Sequence, residues 1–169
     1  LVEQILQMTM ERRTTLQLDM EQVDPVPIIE KLIEEYRLKA DKPVTFHVTG
    51  ADKHPTVHAD AAQLQHVLSN LLDNALKYSG NAVDITIGLY DGRITVADNG
   101  IGIAKEKQDY IFDKFYRVPQ GNLHNVKGYG LGLYYVRNIM ERMGGEVSVR
   151  STVGKGTEFT LLFKGNKDE

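Results

Sequence analysis

Asn70, Asn74 and Lys77 stand at i, i+4 and i+7 within an apolar-periodic segment, the spacing that places three side chains on one narrow stripe of a helix. Asn inside a helix costs roughly 0.5 kcal/mol relative to Ala, and a buried amide left unpaired costs about 1–3 kcal/mol more. A ligand lying along the stripe gives both amides partners. Two solvated amides on an exposed helix face are the alternative that needs no ligand.

Asp98-Asn99-Gly100-Ile101-Gly102-Ile103 is a second candidate. A strand ends in a carboxylate, and two glycines let the backbone approach something closely. A buried carboxylate there accepts a hydrogen bond from an exocyclic amine such as adenine carries. Guanine presents a carbonyl at that place, lone pair against lone pair, a mismatch of about 1–3 kcal/mol. An ordinary Asp-Asn-Gly turn is the plainer reading. Gly128-Tyr-Gly130-Leu131-Gly132-Leu133 is a third: alternate glycines opening a helix present backbone amides to an anion at the positive end of the dipole. No Gly-Lys-Ser/Thr follows, so it is not a P-loop. Its spacing differs from a dinucleotide fingerprint, and no strand leads directly into it.

The elements that must position these residues follow from hydrophobic periodicity. Residues 1–15 are helical in pattern, with Leu1, Ile5 and Met8 on a stripe beside Val2 and Leu6. The stripe fits either packing on the domain or the end of a truncated bundle. The alternation over 16–20 predicts a short strand. Asp24-Pro25 reads as an N-cap followed by a proline preset for the first turn. The helix it opens runs to about Lys39, burying Ile28, Ile29, Leu32, Ile33 and Tyr36. Strands are predicted at 44–49 and, more briefly, 56–58. A long helix from the N-cap Asp60 to about Ser79 carries Leu64, Val67, Leu68, Leu71, Leu72, Ala75 and Leu76 on its apolar face. A strand pair, 83–89 and 93–97, turns at Asp91-Gly92. Short helical turns cover 105–115. The aperiodic stretch 118–128 is longer than the usual connection of about 4–6 residues, as functional loops are. A helix at 131–143 stops at Gly144-Gly145, two strands at 146–151 and 157–163 flank a glycine turn, and 164–169 is a polar tail. Strands and helices intermingle without a βαβ repeat, which predicts a two-layer α/β sandwich with one open sheet face.

Composition narrows the class. Twenty Lys plus Arg against 23 Asp plus Glu give a net charge of −3 over 169 residues, which excludes a strongly basic nucleic-acid binder. At 41% hydrophobic, the chain can bury one main core. Absent cysteines exclude disulfides, thiol catalysis and thiolate metal sites, and fit a reducing, cytosolic setting. No apolar run approaches the roughly 18 residues of a membrane span, and no signal-peptide pattern opens the chain. The start at Leu1, already helical, is expected of a piece cut from something longer.

Five segments in fixed order carry a family resemblance: Asn70-Leu-Leu-Asp-Asn74-Ala-Leu-Lys77-Tyr78-Ser79; Asp98-Asn-Gly100-Ile-Gly102-Ile103; Ile111-Phe112-Asp-Lys-Phe115-Tyr116-Arg117; Gly128-Tyr-Gly130-Leu-Gly132-Leu133; and Gly154-Lys-Gly156-Thr157. They resemble the asparagine, first glycine, phenylalanine, second glycine and third glycine boxes of sensor histidine kinases. The resemblance covers nearly the whole chain. It implies the catalytic and ATP-binding domain of that family, a Bergerat-type fold with a mixed sheet of about five strands backed by three helices. Residues 16–165 would be that domain, 1–15 the end of a dimerisation helix, and 166–169 a tail.

The resemblance also implies roles. Asn74 would hold magnesium through its side-chain oxygen, an ion that needs few protein ligands. Asn70, Lys77 and Arg117 would meet phosphates, with the amides of Gly128, Gly130, Leu131, Gly132 and Leu133 around them. Asp98, Gly100, Gly102 and Thr157 would frame adenine, Tyr78 and Ile103 its ring, with Tyr116 beside Arg117. The stretch 118–128 would be a lid. Phe112 and Phe115 read as core in any case, and a plain solvated charge is the alternative reading for Lys77, Arg117 and Lys127. Partners would be ATP, the phosphoacceptor dimerisation domain and a response regulator, with no nucleic acid, in a cytoplasmic domain of a parent that dimerises and is often anchored in the plasma membrane.

Two departures shape the expectation. The family's acceptor histidine is followed by Glu or Asp, whereas His47, His54, His58, His66 and His124 precede Val, Pro, Ala, Val and Asn. This chain alone is therefore expected to bind ATP but not to phosphorylate itself. His66 reads as satisfied structure, and the other four show neither metal-ligand spacing nor a nearby paired carboxylate. Related chaperone, topoisomerase and mismatch-repair ATPases carry Glu where Asn70 stands, and an amide cannot take a proton from water. Fast hydrolysis is not expected. The alternatives are a degenerate nucleotide-binding or docking module and, on the same fold, a serine kinase of the anti-sigma type.

Overall fold

Two aspartates open the two long helices. In the computed structural model, which describes residues 17–114, 116 and 132–165, Asp24 Oδ1 accepts Val26 N at 3.0 Å at the start of α1 (Pro25–Lys39). Asp60 Oδ1 accepts Gln63 N at 3.0 Å at the start of α2 (Ala61–Lys77). Both use a short carboxylate to satisfy an N–H that the first helical turn leaves unpaired. Asp60 is buried, and its other oxygen accepts Asp19 N at 2.8 Å. One side chain thus caps α2 and ties down the chain entering β1 (Met20–Val23).

The main sheet has the order β2-β4-β5-β7-β6, built from β2 (Val44–Thr49), β4 (Val83–Tyr90), β5 (Arg93–Asp98), β6 (Glu146–Thr152) and β7 (Gly156–Leu162). β2 and β4 are parallel and the other pairs antiparallel, so the sheet is mixed, as expected. Alternation sorts its faces. Ile85, Ile87, Ile94, Val96, Phe159 and Leu161 are buried on one side, each contributing about 1.5–3 kcal/mol by leaving water. They share a core with Leu64, Leu68, Leu71 and Leu72 of α2 and with Tyr135, Val136, Ile139 and Met140 of α3 (Gly132–Arg142). Thr86, Thr95, Thr160, Ser148, Arg93 and Arg150 occupy the alternate positions, on the open face. Three α-helices and five strands form the two layers among the described residues.

Two expectations need correction. The first strand is Met20–Val23 rather than 16–20, and it stays out of the main sheet. It pairs antiparallel with β3 (Val57–Asp60), from Met20↔Asp60 to Val23↔Val57. Pairing with a distant partner set its position, and the local alternation of Leu16, Leu18 and Met20 did not. The second concerns His47, whose Nε2 lies 2.9 Å from Asp84 Oδ1 on the neighbouring strand. Both side chains are about half exposed, so this is a surface pair of small energetic weight. It has a carboxylate partner that sequence distance concealed.

Residues 1–16, Phe115, Arg117, the stretch 118–128 with Lys127, Gly130, Leu131 and the tail from 166 lie outside the described residues. Among those described, no helix is long and apolar enough to cross a membrane, and no cluster of three or more His, Cys, Asp or Glu could hold a metal.

Candidate functional site

The amide stripe on α2 is only partly solvated. Asn70 is buried, and its Nδ2 donates to His66 O, one turn back, at 2.9 Å. Gly132, the first residue of α3, sits so close that a Cβ built there would stand 3.2 Å from Asn70 Oδ1. The opening of α3 therefore lies against Asn70. Tyr135 locks that approach: it is fully buried, its hydroxyl donates to Gln63 Oε1, and it lies 3.3 Å from His66 Nδ1. His66 is thus part of the α2–α3 contact. Asn74 is half-buried, and its side-chain amide has no hydrogen bond among the described residues. Lys77 is exposed in the last turn, where a cation complements the helix dipole.

The end of α2 meets the Asp98 corner directly. Tyr78 caps the helix and its carbonyl accepts Ile101 N at 3.0 Å. Gly100 passes beneath, where a Cβ would stand 2.5 Å from Tyr78 O and 3.0 Å from Asp98 Oδ1. Asp98 Oδ1 accepts Gly100 N at 2.8 Å and Thr157 N at 3.3 Å, while Oδ2 has no partner among the described residues. Burial raises the Asp98 carboxyl above the usual carboxylate range, partly offset by those two backbone hydrogen bonds. Asn99 turns the other way: its Oδ1 accepts Asp84 N at 2.9 Å and its Nδ2 reaches Ala82 O at 3.4 Å, clasping the start of β4.

Gly102, Ile103 and Thr157 complete the corner. Ile103 and Thr157 are buried, and Thr157 lies opposite Asp98 in the ladder. Phe112 packs edge-on against Phe159, ring centres 6.1 Å apart, as a core residue. Tyr116 is half-buried against the core, 6.4 Å from the Tyr110 ring, and Leu133 of α3 is also half-buried against the core. Two residues escaped the sequence reading. Ser151 Oγ accepts Ile103 N at 2.7 Å, and Gln108 Nε2 donates to Ile103 O at 2.9 Å and Ser151 O at 3.1 Å. Neither carries a local motif; only the pairing of β6 with β7 brings Ser151 here.

The arrangement offers acceptors for an amine at the ends of β5 and β7, two amide oxygens on α2, and a helix opening beside them. The chain matches the histidine kinase-, DNA gyrase B-, and HSP90-like ATPase family over residues 59–167. It belongs to this family.

Within this ATPase family its relatives are sensor kinases. It is 37% identical over 169 residues to the sensor protein RprX of Bacteroides fragilis, covering 95% of this chain and 32% of that protein. It is 31% identical to the sensor histidine kinase WalK of Bacillus subtilis, covering 100% of this chain and 29% of that protein. The crystal structure of full-length ShkA in complex with AMPPNP superposes with a TM-score of 0.69 at 29% identity, covering 88% of this chain and 31% of that one. The chain spans about a third of the length of the curated relatives it matches. As a domain, it is of the ATP-binding catalytic type found in sensor histidine kinases.

Proposed function

We propose that this domain binds ATP with magnesium and, within a longer chain, delivers the γ-phosphoryl group to a histidine of a dimerisation domain for relay to a response regulator. The observation that carries the reading is the Asp98 corner joined to the amide stripe. A half-buried carboxylate keeps one oxygen tied and the other without a partner among the described residues, and the Tyr78 carbonyl links it to the helix that bears Asn70, Asn74 and Lys77. Asp98 Oδ2 accepts from the adenine amine, with Gly100, Gly102 and Thr157 framing the base and Tyr78 and Ile103 against its ring. Asn70, Lys77 and Arg117 meet the phosphates, beside the amides of Gly128, Gly130, Leu131, Gly132 and Leu133 and with Tyr116 next to Arg117. These roles suit phosphoryl transfer, in which a protein chiefly positions groups and neutralises charge.

Asn74 fits a magnesium ligand. An amide oxygen is a hard donor, the side chain is half-buried with no hydrogen bond among the described residues, and this ion keeps much of its water. Bound there, the ion neutralises charge on the phosphates. The acceptor histidine lies outside this chain, since none of its five histidines precedes an acidic residue. On this reading residues 1–15 end a dimerisation helix, 16–165 form the catalytic domain and 166–169 a tail. The parent is a homodimer holding the domain in the cytoplasm, beside the membrane that anchors it, and no nucleic acid takes part.

Calorimetric titration with AMPPNP, with and without magnesium and beside the matching GTP analogue, tests this. Magnesium-dependent, adenine-selective binding is expected. Asn74→Ala should weaken the magnesium-dependent affinity about tenfold, the loss of one directed oxygen contact, with the melting temperature unmoved. Asn70→Ala should lower the melting temperature as well, because its buried amide is hydrogen-bonded. No binding at millimolar nucleotide overturns the catalytic reading and leaves a docking module.

A further inference from the structure

Asp98, Thr157 and Ser151 stand side by side in register across β5, β7 and β6. The neighbouring rows on the same face are Val96–Phe159–Val149 and Ile94–Leu161–Val147, so the core side of the sheet ends in one polar row. Ser151 Oγ lies 2.7 Å from Ile103 N, 2.8 Å from Gly156 O and 2.8 Å from Thr157 Oγ1. A hydroxyl has one proton and two lone pairs. Ile103 N–H can only donate and the Gly156 carbonyl can only accept, so Ser151 gives its proton to Gly156 and takes one from Ile103. All three contacts are satisfied together only when Thr157 O–H donates to the remaining Ser151 lone pair. Thr157 Oγ1 then offers lone pairs alone to any other group. Gln108 braces the frame by donating to both Ile103 O and Ser151 O.

We infer that Ser151 is a positioning residue for base specificity: it fixes the direction of the Thr157 hydroxyl proton, so that Thr157 and Asp98 form an acceptor-only wall. Such a wall favours a purine with an exocyclic amine over one with a ring carbonyl in its place. The inference rests on the nucleotide reading above and names what sets its selectivity beyond Asp98.

The test is calorimetric titration of the full chain with non-hydrolysable analogues of ATP and of inosine triphosphate, which carries the carbonyl. In Ser151→Ala the Thr157 proton is free to turn towards a carbonyl. The ratio of the two affinities should fall about tenfold, chiefly through tighter binding of the inosine analogue. Placed in a Thr157→Val background, Ser151→Ala should leave the ratio where Thr157→Val alone puts it, since the two residues act as one unit. A merely structural role would weaken both nucleotides alike, whichever residue stands at 157. Should Ser151→Ala fail to fold, Thr157→Ser is expected to keep the parent ratio and Thr157→Val to lower it several-fold. Intact binding with an unmoved ratio in Ser151→Ala, or in Thr157→Val where the serine variant does not fold, overturns this inference alone. Absence of ATP-analogue binding by the unaltered chain overturns the nucleotide reading and this inference with it.

Discussion

Asp98→Asn is expected to weaken ATP-analogue binding by about 30–100-fold, while the unliganded protein at pH 7 keeps or gains stability. Asn is nearly isosteric, and its Oδ1 can go on accepting from Gly100 N and Thr157 N. What changes is the unpartnered oxygen, which becomes an NH2 group facing another amine. Losing a charge-assisted acceptor and setting donor against donor is worth about 2–3 kcal/mol. The stability effect has the opposite sign. Burial holds the Asp98 carboxyl above its ordinary range, so the folded state grips the proton more tightly than the unfolded chain does. That contribution is fully present below the unfolded value of about 3.9. It is lost as pH rises through the raised folded value, and at pH 7 the ionised carboxylate is a cost. The stability of Asp98→Asn relative to the unaltered chain should therefore rise between pH 4 and pH 7. Melting curves at both pH values and a nucleotide titration check the two halves separately. Binding within a few-fold of the unaltered chain would remove Asp98 from base recognition.

Such a trade between stability and binding explains why some of this site was legible from sequence and some was not. Asp24 and Asp60 announce their helices because a cap is a local device, complete within three residues. Asn70 and Asn74 stand out because an amide on an apolar helix needs a reason, and Asp98 because two glycines follow it. Ser151 gives no such signal. Its partners Ile103 and Gln108 lie more than forty residues away in sequence, and a serine in an alternating strand is unremarkable until the register sets it beside Thr157. The first strand failed for the same reason: β1 exists where β3 offers an edge and where Asp60 can reach Asp19 N. His47 and Asp84, on parallel neighbouring strands, meet through a crossover that no local pattern encodes. Local rules placed the helices and the conspicuous polar residues; long-range pairing placed what supports them.

The glycine boxes make a sharper test of that distinction, because Gly102 and Gly154 share a conformation but not a neighbourhood. Their φ angles are +78° and +83°, in the left-handed region that side chains disfavour. A Cβ at Gly154 would meet nothing within 4 Å, whereas one at Gly102 would stand 2.2 Å from Thr152 O and 2.8 Å from Val153 Cα. Gly154→Ala should then cost only the conformational penalty, about 1 kcal/mol. Gly102→Ala adds a backbone overlap that must push the 152–154 turn away. That motion breaks Gly154 N→Ile101 O at 2.8 Å and strains Ile103 N→Ser151 Oγ at 2.7 Å. The total should reach about 3–5 kcal/mol. For a chain of this size about 2–4 °C is lost per kcal/mol. Gly102→Ala should therefore melt about 6–20 °C below the unaltered chain, against about 2–4 °C for Gly154→Ala. Its surviving folded fraction should also bind the ATP analogue more weakly, because Ile103 moves with the turn. Equal melting temperatures for the two variants would mean that the third glycine box does not press on the first, and that the base-binding corner is held from the α2 side alone.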